Sequence, residues 1–337
     1  MKERRLPINV VLIADKIDNF QNIDISSNNL ELIEEDYFNE ISTALQSMCR
    51  RVYFYESPKD FLGNIRKHKK DVIFSIWSGK ASKNRRALIP SICEAYGIPY
   101  IGSDTYTNIL CQDKAMTKDF CKKIGINTPE YVLYNERTDP KIIKTLRLPV
   151  VVKPNFEGGS IGIASTNLIQ DYEAATILCR NLYSIYKQNI MVEEFIPGRE
   201  ISLILFGSKG QLKLLEAMEI VVEGEGNSLI NRLYSYEIKK SHLLISKNIR
   251  VTDSLPQEIF DDARKIFKLL DKVETLRIDG RFDGHHFHLI ELTPDIHYGA
   301  NCTFAGAFLA KGISYNAMIR MIILNTLEAD PAFAIQS

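Results

Sequence analysis

The sequence predicts an α/β protein whose N-terminal part is built on a parallel sheet and whose C-terminal part is α+β. Three observations lead there. The 337 residues are 45% hydrophobic and 25% charged, enough to bury a sizeable core divided among two or three domains. From residue 8 to about residue 103, short apolar runs alternate with helical patterns, as βαβ units on a parallel sheet do. Near the other end, residues 276–282 and 287–293 read as two apolar strands joined at a polar Asp283-Gly284-His285 turn, an antiparallel hairpin.

In order, 8–14 reads as a strand, 37–48 as a helix, 52–55 as a strand, 61–67 as a helix, 72–77 as a strand and 87–96 as a helix, before Pro99-Tyr100-Ile101-Gly102 leads out. No G-x-G-x-x-G follows the first strand and no G-x-x-x-x-G-K-[ST] occurs, which disfavours dinucleotide dehydrogenases and P-loop proteins. The 8–14 run is too short to span a bilayer, and Asp15-Lys16 follow it instead of a small-residue cleavage site, so a cytoplasmic chain is expected. Basic and acidic side chains balance at 42 each, which gives no electrostatic footprint for nucleic acid or a membrane surface. Arg4-Arg5 and Arg66-Lys67-His68-Lys69-Lys70 read as solvated faces. The six cysteines (Cys49, Cys93, Cys111, Cys121, Cys179 and Cys302) show no C-x-x-C spacing and read mostly as small buried hydrophobes. The cluster His285-His286-x-His288 offers no third ligand of obvious spacing and is assigned a structural role.

The middle segment carries the chemistry. Gln112-Asp113-Lys114 opens a helix through Cys121, Thr128-Pro129-Glu130 breaks the chain, and 171–186 is a further helix. Between them Val150-Val151-Val152-Lys153-Pro154 runs into Glu157-Gly158-Gly159-Ser160-Ile161-Gly162. Branched side chains suit a strand packed on both sides, the lysine puts a cation where the strand leaves the core, and glycines let backbone amides approach an anion. Read alone, the segment is equally an ordinary strand-turn-strand. Ile190-Met191-Val192-Glu193-Glu194 and the Pro197-Gly198-Arg199-Glu200 turn put carboxylates at a strand end, where they can accept hydrogen bonds from a nucleoside, although Glu194 also suits a solvated surface.

In the hairpin a three-residue loop would set Asp279 opposite Leu289 and Glu291 opposite Arg277, so that both carboxylates and the arginine share one face. That face would suit magnesium and phosphate. A two-residue loop would separate the carboxylates.

These parts, with Pro99-Tyr100-x-Gly102-Ser103, Asp113-Lys114 and Lys118, and Tyr234-x-Tyr236-Glu237-x-Lys239, resemble the ATP-grasp superfamily and, within it, the D-alanine:D-alanine ligase family, over nearly the whole chain from Tyr100 onward. The resemblance implies an ATP-grasp fold behind an N-terminal Rossmann-like domain (1–104), with a small central domain (105–196) and a C-terminal metal-site domain (197–337). It implies ATP and Mg2+, with Mn2+ as a substitute. Lys114 and Lys153 would hold phosphates beneath Glu157, Gly158, Gly159 and Ser160, while Glu193, Glu194, Ile196 and Glu200 would face adenine and ribose. Lys239 would reach the γ-phosphate from a mobile lid over 221–241. Arg277, with Ser160 and Lys239, would stabilise the transferred phosphoryl group, and Asp279, Glu291 and, more weakly, Thr293 would bind metal. Family members are often homodimers.

Departures fall on the substrate side. Glu291-Leu292-Thr293 stands where the family has Glu-x-Asn, and Gly159-Ser160 stands where it has paired serines. The proline-glycine and serine positions for the second D-alanine are not recognisable in Pro294-Asp295-Ile296-His297-Tyr298-Gly299-Ala300-Asn301-Cys302, nor are the N-terminal Gly-Gly-x-Ser-x-Glu signature and the His-Gly pair near Trp77. The expected activity is therefore an ATP-dependent carboxylate-amine ligase acting on an amino acid or specialised metabolite other than D-alanine, with Trp77, Lys80, Arg85, Arg86, His297 and Asn301 as substrate contacts. Arg85-Arg86 reads equally as a solvated helix start. A nucleotide-binding protein without turnover and a true D-alanine:D-alanine ligase are the alternatives.

Overall fold

The computed structural model describes residues 4–15, 33–79, 82–222, 229–235, 238 and 246–329. The first sheet is parallel, in the order β2-β1-β3, from β1 (Leu6–Ile13), β2 (Cys49–Tyr55) and β3 (Val72–Ser75). Alternation along β1 splits it between two cores, as a strand covered on both faces requires. Val10 and Leu12 meet Ile41 and Leu45 of the Glu35–Met48 helix, whereas Val11 and Ile13 meet Phe61, Ile89 and Cys93.

The second sheet is antiparallel, in the order β4-β7-β5-β6, from β4 (Tyr131–Tyr134), β5 (Val150–Pro154), β6 (Leu168–Ile169) and β7 (Ile190–Glu194). The Tyr172–Tyr186 helix, capped by Asp171, covers it through Ala175, Cys179 and Leu182. The third sheet runs β10-β9-β8-β11-β12, from β8 (Arg199–Ser208), β9 (Gln211–Val222), β10 (Ser246–Arg250), β11 (Thr275–Phe282) and β12 (Phe287–Thr293). Leu276 and Ile278 of β11 pack with the Gln257–Leu269 helix. On the other face Ile204 and Phe206 join Phe304, Phe308 and Met318 in the core that also holds β1. The first and third sheets thus share one hydrophobic core, which fixes the wall that each presents to the space between them. Among the described residues, no single helix is long and apolar enough to cross a membrane.

Three expectations need correction. The hairpin loop has four residues, since Phe282 pairs with Phe287 and Gly280 with Leu289. That register alone would place Asp279 and Glu291 on opposite faces. A β-bulge at Ile290 inserts one extra residue into β12 and resets the pairing, so Asp279 stands opposite Glu291 and Arg277 opposite Thr293. The shared face is reached, by another route. Gln112 ends the Thr105–Gln112 helix, and Asp113 caps the separate Lys114–Lys123 helix by accepting from the amides of Ala115 and Met116. His68 is not solvated. A short turn tucks it under β2, where its Nε2 lies 2.8 Å from the Tyr55 hydroxyl and its Nδ1 2.8 Å from Asp71 Oδ2.

Candidate active site

A cavity of about 710 Å3 opens between the second and third sheets and is bordered on one side by Ile33, Glu34 and Tyr37 and by Ile76, Trp77 and Ser78 after β3. At its first end lies a fully buried charge cluster. Period two puts Lys153 of β5 and Glu193 of β7 on the same face, and the Lys114–Lys123 helix brings Lys118 beneath them. Lys118 Nζ is 2.9 Å from one Glu193 oxygen, and Lys153 pairs with the other. Burial pushes the Glu193 carboxyl up, but the two ammonium groups outweigh it and hold its pKa near 2. Burial pulls Lys118 down to about 8, although Glu193 opposes that. The partners shift unequally because two cations share one anion, so the cluster carries a net positive charge toward the cavity.

The glycine-rich loop follows β5. Gly159, Ser160 and Gly162 all have positive φ, and a Cβ on Gly162 would lie 2.8 Å from Pro154, so glycine is required there. Ser160 Oγ donates to the Tyr234 carbonyl at 3.2 Å. Lys114 reaches both the Glu157 carbonyl and, at 3.1 Å, Glu291 Oε1, and so ties this loop to the hairpin. Glu157 itself accepts from Gln188 at 2.7 Å and from Arg85 at 3.1 Å.

On the hairpin, Arg277 donates from Nε to both Asp279 oxygens at 2.9 Å, and Ser202 Oγ donates to Asp279 at 2.6 Å. Glu291 and Thr293 lie beside them on the same face. Glu200 is 3.1 Å from Arg281 and, with Ile196, lines the cavity. Glu194 is held by Arg147, which donates from its side chain at 2.7 Å and from its backbone amide at 2.8 Å. Its solvated reading is overturned, because strand pairing leaves the side chain only 7% exposed.

The far end is built from loops. Trp77, Arg86, His297, Asn301 and Cys302 line it. His297 stacks on Tyr37 with ring centroids 3.7 Å apart, and Arg86 pairs with Asp295 at 2.7 Å. Arg85 is not among the lining residues. It is neither solvated nor in the pocket, because the turn over Arg85–Ala87 points it into the glycine-rich loop, at Glu157. Cys302 caps the Thr303–Ala310 helix. Lys80, Tyr236, Glu237 and Lys239, with much of the 221–241 stretch, lie outside the described residues.

Asp15, Tyr37 and Asp295 were missed in the sequence, and Lys118 was noted without a role. Asp15 accepts from the amides of Ser78 and Gly79 at 2.9 and 2.8 Å, and burial raises its pKa. Its place beyond the carboxyl end of β1, where open α/β sheets bind ligands, was the available signal. Asp295 continues the alternation of Glu291 and Thr293. The histidine cluster acts structurally: His288 Nε2 lies 2.9 Å from Asp283 Oδ2, and the same carboxylate caps the amides of His285 and His286.

A buried lysine-glutamate cluster and a glycine-rich loop facing a carboxylate-bearing strand pair, gripped between two antiparallel sheets, define an ATP-grasp protein. Residues 120–324 match the family described as "D-ala D-ala ligase C-terminus". The D-alanine–D-alanine ligase of Carboxydothermus hydrogenoformans is 30% identical over 299 residues, covering 86% of this chain and 91% of that protein. The vancomycin/teicoplanin A-type resistance protein VanA of Enterococcus faecium is 27% identical over 209 residues, 62% of this chain and 59% of its own. Among solved structures, the D-alanine–D-alanine ligase from Bacillus anthracis complexed with ATP has a TM-score of 0.73 over 96% of this chain and 99% of that one, at 18% identity. The chain belongs to the D-alanine–D-alanine ligase family and is an ATP-dependent, ADP-forming ligase.

Proposed function

We propose that this ligase converts a substrate carboxylate to an acyl phosphate at the Arg277, Asp279 and Glu291 face and joins it to an amine, and that at least one substrate is not D-alanine. The observation that carries this is the contrast within one cavity. Its activating end holds cations and paired carboxylates, while its far end is walled by Trp77, the Arg86–Asp295 pair and the His297–Tyr37 stack.

The donor set fits a hard cation, because Asp279 and Glu291 face each other across one strand pair with the Thr293 hydroxyl beside them. Mg2+ is held by one or two carboxylates plus nucleotide phosphates, and it would neutralise phosphate charge there. Lys114, Lys153 and the loop from Glu157 to Ser160 would hold the phosphates, and Glu193, Ile196 and Glu200 would face the nucleoside. Arg277 would then steady the charge that develops as a carboxylate oxygen takes the γ-phosphoryl group and ADP leaves, and again as the amine displaces phosphate. The three sheets support a division near residues 104 and 196, and the reaction belongs in the cytoplasm, where ATP is supplied.

ADP release across an amino-acid panel, singly and in pairs, tests the reading. Little turnover with D-alanine alone and faster turnover with another acid are expected. The 30% identity to the Carboxydothermus ligase across most of both chains favours a second reading, a true D-alanine ligase. Robust dipeptide formation from D-alanine alone would establish it instead. No ADP release with any acid would leave a nucleotide-binding protein without turnover.

A further inference from the structure

We propose that the Arg86–Asp295 ion pair is a zwitterion clamp, which opens to take the amine-bearing substrate as a free α-amino acid, Arg86 receiving its carboxylate and Asp295 its ammonium, which gives up a proton to water before the nitrogen attacks. This deepens the ligase reading above and rests on it. The two side chains meet at 2.7 Å in the cavity wall and remain 18% and 31% exposed. A pair in that position is wet enough to open at modest cost, unlike a fully buried one. An amino acid offers the same two charges in mirror order, so it replaces one ion pair by two. Arginine's planar fork suits a carboxylate in particular.

The backbone beneath each partner is fixed. Asp295 sits between Pro294, whose carbonyl accepts from Thr275 Oγ1 at 3.2 Å, and the buried Ile296. Two residues further, Tyr298 donates its amide to the Tyr37 hydroxyl at 3.0 Å. Arg86 shares its turn with Arg85, which is anchored to Glu157 at 3.1 Å and to the Ser82 carbonyl at 3.1 Å.

The arrangement answers a chemical need of the reaction. When both substrates are amino acids, two carboxylates enter one cavity and only one of them is to be phosphorylated. Arg277 is engaged with Asp279 on the hairpin face, whereas Arg86 comes from the N-terminal part of the chain. A carboxylate held on Arg86 is therefore bound by a different cation from the one at the activating face. A substrate lacking either charge leaves one clamp partner desolvated and unpaired, which is how a polar site rejects an analogue.

The test is a one-pot competition between an amino acid and its own primary amide as acceptors, with a saturating donor acid and ATP, using the acids that give the fastest ADP release. Product dipeptide and dipeptide amide are counted by mass spectrometry. For the unaltered chain, acid should be preferred over amide by about tenfold or more, a size typical of a lost charge-assisted contact. In Arg86→Gln the preference should fall toward one, and in Arg86→Lys part of it should return. In Asp295→Asn the acceptor KM should rise while the acid-to-amide ratio is kept. The KM for ATP should stay within about twofold throughout, as expected for substitutions that spare the phosphate contacts. An unchanged acid-to-amide ratio in Arg86→Gln overturns the clamp and leaves the ligase reading intact. Absence of ADP release with every acid removes the ligase reading and the clamp with it.

Discussion

The two ends of the cavity are made differently. At the activating end nearly every charged side chain projects from a strand or a helix start, and its direction follows from period two or from a cap: Lys153 and Glu193 on β5 and β7, Arg277 and Asp279 on β11, Lys114 one residue beyond the Asp113 cap. At the far end Trp77, Arg86, Asp295 and His297 stand on turns and loops contributed by separate parts of the chain. Groups that stabilise developing charge need fixed positions, which strands supply, while groups that select a substrate sit where backbone can be altered without unpairing a sheet.

The largest effect that would break this comparison is expected from Arg277→Ala. Removing a donor that acts on developing charge lowers kcat by about a hundredfold to a thousandfold, with ATP affinity changed only a few-fold. A rise in KM with kcat unchanged would place the activating end elsewhere. Next comes Lys153→Ala. Loss of its charge-assisted contact should weaken ATP by about 1.5 to 3 kcal/mol, and calorimetry giving the affinity of the unaltered chain would remove Lys153 from the nucleotide site.

A smaller effect depends on pH. Lys118 has its pKa lowered to about 8, principally by burial, so it is charged below that value and loses its proton as pH rises through it. Glu193, held near 2, stays ionised throughout. The net positive charge of the cluster therefore disappears above about pH 8, and ATP affinity should fall several-fold between pH 7 and 9, on the scale of one screened charge. Lys118→Met should flatten that step. An identical slope in the variant would assign the titration to another group. The smallest change is expected for Ser160→Ala, which removes one hydrogen bond to Tyr234. That should raise the KM for ATP a few-fold, within the roughly 0.5 to 1.5 kcal/mol of an ordinary hydrogen bond, and a thousandfold loss of kcat would mean that Ser160 meets the reacting atoms directly.

What was legible in the sequence follows the same division. The strand run before Lys153, the helix after Asp171 and the apolar run of β1 could be read because local pattern determines them. The common face of Asp279 and Glu291 was anticipated with the wrong loop length, since a bulge adds a residue without any compositional mark. Lys118 stood in the motif series without a role because its burial depends on a helix docking under two strands. Tyr37 and Asp295 could not be paired from the sequence, because only the packing of the first and third sheets on one core brings them to the same cavity. His68 looked like part of a basic surface run until Tyr55 and Asp71 enclosed it.

The extra residue at Ile290 gives the hairpin two phases. From Gly280 and Leu289 to the tip, side chains alternate in one frame; from Asp279 and Glu291 to the base, they alternate in the other. The tip and the carboxylate pair are therefore uncoupled, with the slip between them acting as a buffer. Lengthening or shortening the turn over residues 283–286 by one would otherwise rotate Glu291 to the far face. Here such a change can be absorbed by loss or displacement of the bulge, so the turn is free to vary in length while the two carboxylates stay together.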